Sequence, residues 1–309
     1  METESRIHVR GLAIAAGVAC AAAVLVVVVL LVDGRSGTTP DASRQTVVLA
    51  GQAGDLAVGV AMTPRRATSV VLRTTVLGPG GPATGLQLRF LVGGNGGSRT
   101  TPASPCGSGC YEADAPVADP TRLELRIEGR GRVPSTIRFT PPSQLPAPDA
   151  TTIVRHAQRT IEHLRTLVVH SHLASDPRHA LRTTYEIVAP DRLAYQNGDG
   201  SESVIIGDRR WDRAPGGAWV ESSQLPAVRA PLPFWSTSFT DAHILRTGRT
   251  NWVVSFLDPA TPAWFTAWID RNTYRTVRLD MIATAHFMHD RDGPFDGPVT
   301  IKPPKRVSR

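Results

Sequence analysis

The stretch LRTTYEIVAPDRLAYQNGDGSESVIIGDRRWDRAPGGAWVES, Leu181 to Ser222, decides the fold. It reads as four short strands, ALRTTYEIVAP, DRLAYQ, SESVIIGDRRWDR and GAWVES, because each alternates or runs apolar over a few residues. Ala189-Pro190-Asp191, Asn197-Gly198-Asp199-Gly200 and Pro215-Gly216-Gly217 supply the turn chemistry between them. A meander of this kind has an apolar face that further strands and a helix must cover.

Working outward, NWVVSFLDP (251–259), AWFTAWID (263–270) and TVRLDMIATAHFM (276–288) supply strands downstream, and LVVHSHL (167–173) opens the sheet upstream. In the last of these, Val277, Leu279, Met281, Ala283, Ala285 and Phe287 form one apolar row, while Thr276, Arg278, Asp280, Thr284 and His286 face the other way. Asp149 to Leu167 reads as a helix: Val154, Ala157, Ile161, Leu164 and Val168 recur at gaps of three and four, and Asp149 is a plausible N-cap. The expected result is a long, curved antiparallel sheet whose apolar face is covered by that helix or left partly open as a cavity.

A different pattern precedes it. From Thr46 to Phe139 seven strand-like runs (TVVLA, LAVGVAMTP, SVVLRTTVLG, LQLRFLVG, CYEADAP, RLELRIEG, VPSTIRF) alternate with Gly- and Pro-rich loops. That spacing, without any helical period, predicts an immunoglobulin-like β-sandwich over 46–140. In SVVLRTTV, Val71, Arg73 and Thr75 share one face and Val70, Leu72, Thr74 and Val76 the other, so one side is core and the other wet. Cys106 and Cys110, in PCGSGCY, are close enough for a local disulfide, which would pin a turn by about 2 kcal/mol and indicate an oxidising compartment.

The chain begins with a short segment, 1–10, carrying Arg6 and Arg10, followed by an uncharged run from Gly11 to Val32. At 1.5 Å per residue that run spans the ~30 Å hydrocarbon core, so it reads as a transmembrane helix with its N-terminus cytoplasmic and all that follows outside. A cleaved signal peptide is the rival reading. Residues 33–45 are a polar linker, 141–149 (PPSQLPAP and Asp149) a Pro-rich hinge, 150–304 the second outer domain and 305–309 a basic tail.

The formal net charge is +7. Its Arg residues are scattered singly along strands, as at Arg73, Arg89, Arg126, Arg138, Arg182 and Arg278, which is the pattern of solvent faces rather than of a nucleic-acid surface.

Asp191-Arg192-Leu193-Ala194-Tyr195, Ile205 to Asp212, Phe256-Leu257-Asp258-Pro259 and Trp268-Ile269-Asp270 followed by TVRLDM resemble the pattern of LolA/LolB-type lipoprotein carriers and the mycobacterial LppX/LprG lipid-binding proteins. The two domains in series, with LAGQAGDLAVGVAMTP, CGSGCY, HSHLASDP, LDPATPAWF and AHFM in that order, resemble the extracytoplasmic C-terminal region of actinobacterial copper-resistance proteins of the CopC/CopD fusion type. Neither a multi-spanning membrane portion nor an N-terminal copper site of that family is present. The resemblance implies a mainly β protein: an anchor, a sandwich, and a LolA-like α+β half-barrel with a covering helix.

Phe234, Trp235, Trp264 and Phe265, in PLPFW and TPAWF, place aromatics beside prolines in expected loops, where with Met281 and Phe287 they would line an apolar ligand mouth. His170, His172, His286 and Met288 are the candidates for a copper site if one exists; His156 and His163 share a helix face but lie two turns apart. Asp208, Asp212, Asp258 and Asp270 are expected in turns. No Gly-x-Ser-x-Gly, phosphate loop, His-Glu-x-x-His or dinucleotide fingerprint occurs, so no enzyme activity and no cofactor is expected. Three functions remain open: binding of a lipid or acyl-bearing ligand, envelope copper handling, and a structural or sensory module that binds another envelope protein.

Overall fold

A computed structural model describes residues 46–66, 69–94, 97–117, 120–176, 178–305 and 307–308. The expected membrane span, 11–32, lies outside the described residues, and no helix among those described is long and apolar enough to cross a membrane. The fold is mainly β, with two sheets and one helix among the described residues.

The first sheet holds β1 (Val47–Ala53), β2 (Leu56–Arg66), β3 (Ser69–Gly78), β4 (Gly81–Pro82), β5 (Leu86–Gly94), β6 (Gly97–Gly107), β7 (Cys110–Ala115), β8 (Arg122–Gly129) and β9 (Ser135–Phe139). Its order is β1-β2-β3-β7-β6-β5-β8-β9, with β4 paired to β3. Two of these strands, β4 and β6, have no counterpart among the seven expected runs. β6 is polar, carries two prolines and is mostly exposed, so it has no hydrophobic signature. It holds two layers together: its first part pairs with β5 and its last part with β7. Val70, Leu72, Thr74 and Val76 are the buried face of β3, and they join Val58, Val60, Phe90, Leu125 and Ile137 in one core. Cys106 and Cys110 form a disulfide across the β6–β7 turn, with Cα atoms 5.1 Å apart.

Asp149 Oδ1 accepts hydrogen bonds from the Thr151 amide and hydroxyl, and α1 (Thr151–Glu162) follows. Its buried side chains, Val154, Ala157, Gln158 and Ile161, form a single stripe. The helix is shorter than its apolar periodicity implies. The Arg165 amide donates to Asp296 and the Thr166 hydroxyl to the Gly297 carbonyl, so distant groups take up the chain and start a strand.

That strand begins the second sheet: β10 (Thr166–Asp176), β11 (His179–Val188), β12 (Arg192–Asn197), β13 (Glu202–Ile206), β14 (Arg209–Arg213), β15 (Trp219–Ser223), β16 (Thr240–Thr247), β17 (Asn251–Asp258), β18 (Ala263–Asp270), β19 (Thr276–Ala283), β20 (His286–Phe295) and β21 (Val307–Ser308). The order is β16-β17-β18-β19-β20-β10-β11-β12-β13-β14-β15-β21, antiparallel throughout except for the last pair. Two expectations are corrected here. SESVIIGDRRWDR is a hairpin of two strands, because Gly207, at φ +60°, turns the chain in a conformation other side chains rarely adopt. TVRLDMIATAHFM is likewise a hairpin, turning at Thr284-Ala285 with Ala285 at φ +57°. The apolar row is therefore broken. Met281 pairs with Met288 on one side of the sheet, while Phe287 pairs with Ile282 on the other.

The two sheets share packing. Trp264, Ile282 and Phe287 on the far side of β18–β20 form a cluster with Val48 and Ala57 of the first sheet, and Leu245 and Val253 join its core. Residues 141–149, expected as a hinge, are instead strapped along β16. The Ser143 amide donates to Leu245, the Ile244 amide to Pro148 and the Ala150 amide to Ala242. Gly59 lies against the Trp264 ring, so close that an added Cβ would overlap it. Gly59→Ala is expected to destabilise the full chain by about 1–3 kcal/mol through overpacking. In a Trp264→Ala background the same substitution should cost far less, which a double-mutant cycle of urea unfolding midpoints measures.

Candidate functional site

The side of the second sheet that faces α1 is its inner face. Over β16–β20 this face is filled: Val154, Ala157 and Ile161 of α1 pack with Trp235, Phe256, Phe265, Ala267, Leu279 and Met288. Phe256 and Phe265 stack with centroids 5.1 Å apart, and Trp235 meets Phe256 edge-on at 5.5 Å.

Over β10–β14 the inner face is only half covered, and register sets out its composition in rows. Met288, Leu173 and Leu181 make an apolar row. Next comes a polar row of Asp290, Ser171, Thr183 and Asn197, followed by a mixed row of Asp292, Val169, Tyr185, Tyr195, Ser203 and Asp212. Phe295, Leu167, Ile187, Leu193 and Ile205 form a second apolar row beyond it. Successive rows lie about 7 Å apart along a strand, so a polar belt two rows wide runs between apolar borders. Tyr185, Ile187, Leu193 and Tyr195 are half-buried.

Most of the belt is internally satisfied. Thr183 donates to Asn197 at 2.7 Å. Arg210 donates to Asp212 at 2.7 Å and to the Tyr195 hydroxyl at 2.8 Å, and the Ser203 hydroxyl donates to the same carboxylate. Burial opposes the Asp212 charge, but the Arg210 guanidinium and Ser203 outweigh it and hold the carboxyl below the usual range.

The acids on β20 are different. Asp290 is 1% exposed; the Ser171 hydroxyl opposite it on β10 is close enough to favour its charge, but no hydrogen bond of good geometry reaches either carboxylate oxygen. Burial pushes it up to about 6; Ser171 and His289 offset this only in part, and the Asp280 charge adds to it. Asp292, half-buried two residues along the same face, is pushed up to about 8 by burial and by the Asp290 charge. Tyr185 is raised as well, by burial first and then by Asp290 and Tyr195.

The residues singled out from sequence do not gather here. Trp235 and Phe265 are core under α1, Met281 borders that core, and Phe234 is exposed on the loop before β16. Trp264 lies in β18 rather than in a loop, and with Phe287 it is buried against the first sheet, because the register puts both on the outer side. His170 and His172 are outer-face residues of β10, His286 is exposed at the β19–β20 turn, and Met288 points inward. The four do not converge, and among the described residues no group of three His, Cys, Asp or Glu is placed to hold a metal ion. His156 and His163 border a separate hollow of about 580 Å³ between α1 and the turn at Thr273–Arg275. His156 stands edge-on to Tyr274 at 4.7 Å, and His163 Nδ1 is 2.7 Å from the Arg159 carbonyl.

Asp258 and Asp270 do serve turns: Asp258 binds the Ser236 amide and hydroxyl, the Ala260 amide and the Thr261 hydroxyl. Asp212 does not, since it lies within β14 on the inner face. Asp290 and Asp292 escape the sequence reading because it ends the last strand near Met288. The available signal was their spacing, two acids in register with Met288 on a face otherwise apolar. Of the scattered arginines, Arg126, Arg138 and Arg278 pair with Glu128, Glu124 and Asp280. No protein-family model matches the chain, and no curated protein matches it.

Two pH effects follow. The unfolded chain releases the Asp290 and Asp292 protons near pH 4, whereas the folded chain keeps them to about pH 6 and 8, so this pair lowers stability progressively as pH rises across that window. Asp290→Asn is expected to flatten the fall in Tm between pH 5 and 8. Burial opposes the Asp258 charge, but its donors prevail and lower its carboxyl, so its contribution is present above about pH 4 and lost as pH falls further. Asp258→Ala should cost about 3 kcal/mol at pH 7 and less as pH falls below about 4, as read from urea unfolding at pH 7 and pH 3.

Proposed function

We propose that this protein is a membrane-anchored, extracytoplasmic, non-catalytic module whose second sheet holds a lipid or other acyl-bearing molecule. The observation supporting this is the half-covered inner face of β10–β14, where apolar rows border a polar belt. An amphiphile matches that lining: its chain lies along the half-buried Ile187 and Leu193, and its head group on the belt. Each 100 Å² of chain removed from water contributes about 2.5 kcal/mol, enough to hold a ligand without covalent chemistry.

The finer reading of the fold accords with this proposal. A single helix against one continuous antiparallel sheet suits a LolA/LppX-like half-barrel, and two layers joined by β6 suit an immunoglobulin-like sandwich. The anchor at 11–32 would keep the module at the outer surface of the membrane, as in the envelope proteins of the copper-resistance type that the sequence resembles. Copper handling finds no converging ligand set among the described residues.

Full-length protein extracted in a non-ionic detergent and sprayed under native conditions should carry a bound lipid. Leu193→Gln should cut the retained lipid at least fivefold while changing Tm by only a few degrees. A wild-type spectrum free of bound lipid, with no rise in Tm on adding long-chain acyl ligands, would overturn the proposal.

A further inference from the structure

The hollow of about 580 Å³ between α1 and the β18–β19 turn is lined from the helix by His156, Arg159, Thr160 and His163, and from the sheet by Tyr274 and Arg275. The four helix residues recur at i, i+3, i+4 and i+7, which puts them on one side of α1. Arg159 and His163 are exposed, and Arg159 makes no ion pair among the described residues. Across the hollow, Arg275 is fixed by Asp296 at 2.6 Å and by the Phe295 ring at 5.0 Å. A guanidinium has five N–H donors, so this anchoring leaves others for a ligand.

The lining is positive in sign. Its one acid, Asp296, already accepts from Arg275 and from the Arg165 amide at 2.8 Å, and the acid of α1, Glu162, lies outside the lining. Free carbonyls at a helix C-terminus oppose an anion, but here the Arg159, Thr160 and Ile161 carbonyls accept from His163 Nδ1, the His163 amide and the Leu164 amide. A carbonyl can only accept, so His163 Nδ1 carries the hydrogen and Nε2 is the nitrogen left for a ligand. Tyr274 forms the opposite wall. It holds φ +56°, left-handed backbone that a bulky side chain rarely adopts, and its ring meets His156 edge-on at 4.7 Å and Trp252 at 5.5 Å.

We propose that this hollow binds an oxyanion of the phosphate type, free or carried on a small organic group, with Arg159 and Arg275 donating N–H groups to its oxygens and His163 Nε2 sharing a proton with it. The class follows from the donors, because guanidinium groups match the oxygens of a tetrahedral anion in geometry as well as in charge. The hollow is larger than a bare phosphate and is walled by Tyr274, which leaves room for an organic part. A metal ion finds no set of three ligands here among the described residues. The site shares no lining residue with the lipid groove proposed above, so each stands without the other.

The test follows the Tm of full-length protein in a non-ionic detergent at pH 7 as sodium phosphate or glycerol 3-phosphate is added, with sodium chloride at matched ionic strength as the control. Both phosphates are expected to raise Tm along a saturating curve that chloride does not reproduce. Arg159→Glu should raise the half-saturating concentration at least about fivefold, with its Tm in chloride close to that of the wild type. Arg155→Glu, the same charge change on the same helix but outside the lining, should leave it nearly unchanged. If Arg159→Glu fails to fold, Arg159→Gln should give a smaller shift in the same direction. Tighter binding of glycerol 3-phosphate assigns the site to a phosphate ester, and tighter binding of phosphate assigns it to the free anion; both support the proposal. A rise in Tm no greater than that in chloride, or equal shifts in Arg159→Glu and Arg155→Glu, overturns it.

Discussion

The inner face of the second sheet is governed by a mismatch of size. α1 has 12 residues, about 18 Å of helix roughly 10 Å across, while neighbouring strands are spaced about 4.8 Å apart in a sheet of 12. One such helix covers only a few strands. It lies over the β16–β20 half, where Trp235, Phe256 and Phe265 complete a dry core, while on the β10–β14 half Tyr185, Ile187, Leu193 and Tyr195 stay half-buried beside buried Leu167, Val169 and Ile205. The composition of each half agrees with its cover. The inward residues packed under the helix, Phe256, Phe265, Ala267, Leu279 and Met288, are apolar, whereas those farther along β20 and on β11–β14 include Asp290, Asp292, Thr183, Ser203, Arg210 and Asp212.

The outer face of the β17–β20 region has its own constraint, contact with the first sheet. Gly59 has no side chain because the Trp264 ring occupies that space, and Trp264, Ile282 and Phe287 share a cluster with Val48 and Ala57. With both of its faces buried, this half of the sheet is structural. The β10–β14 wing carries most of the polar belt. The same division explains why the aromatic residues that look most like a ligand mouth in the sequence turn out to be packing: the largest apolar side chains are drawn to the places where burial is most complete.

Much of the architecture is legible from local patterns. The helix around Val154, Ala157 and Ile161, seven of the nine strands of the first sheet and most of those of the second, the core face of β3 and the Cys106–Cys110 pairing follow from periodicity, turn residues and spacing. Two misreadings in the second sheet are unread turns, at Gly207-Asp208 and at Thr284-Ala285. Thr284-Ala285 reverses the chain with no Gly, Pro or Asn, and taking it for continuous strand moves Phe287 to the wrong side of the sheet. β6 carries no hydrophobic signal because hydrogen bonds to β5 and β7 hold it in place, not burial of apolar side chains.

By itself, then, the order of residues determined that the described protein is mainly β, that one helix precedes a long antiparallel meander, and which strand faces are apolar. These are consequences of local alternation and turn chemistry, which act over a few residues. Only the tertiary structure decided which face of each strand meets the helix and which meets the first sheet, and that Asp290 and Asp292 share the inner face of β20 with Met288. Those relations depend on register between strands more than a hundred residues apart, where a one-residue shift exchanges the inner and outer faces, and no local pattern carries that information.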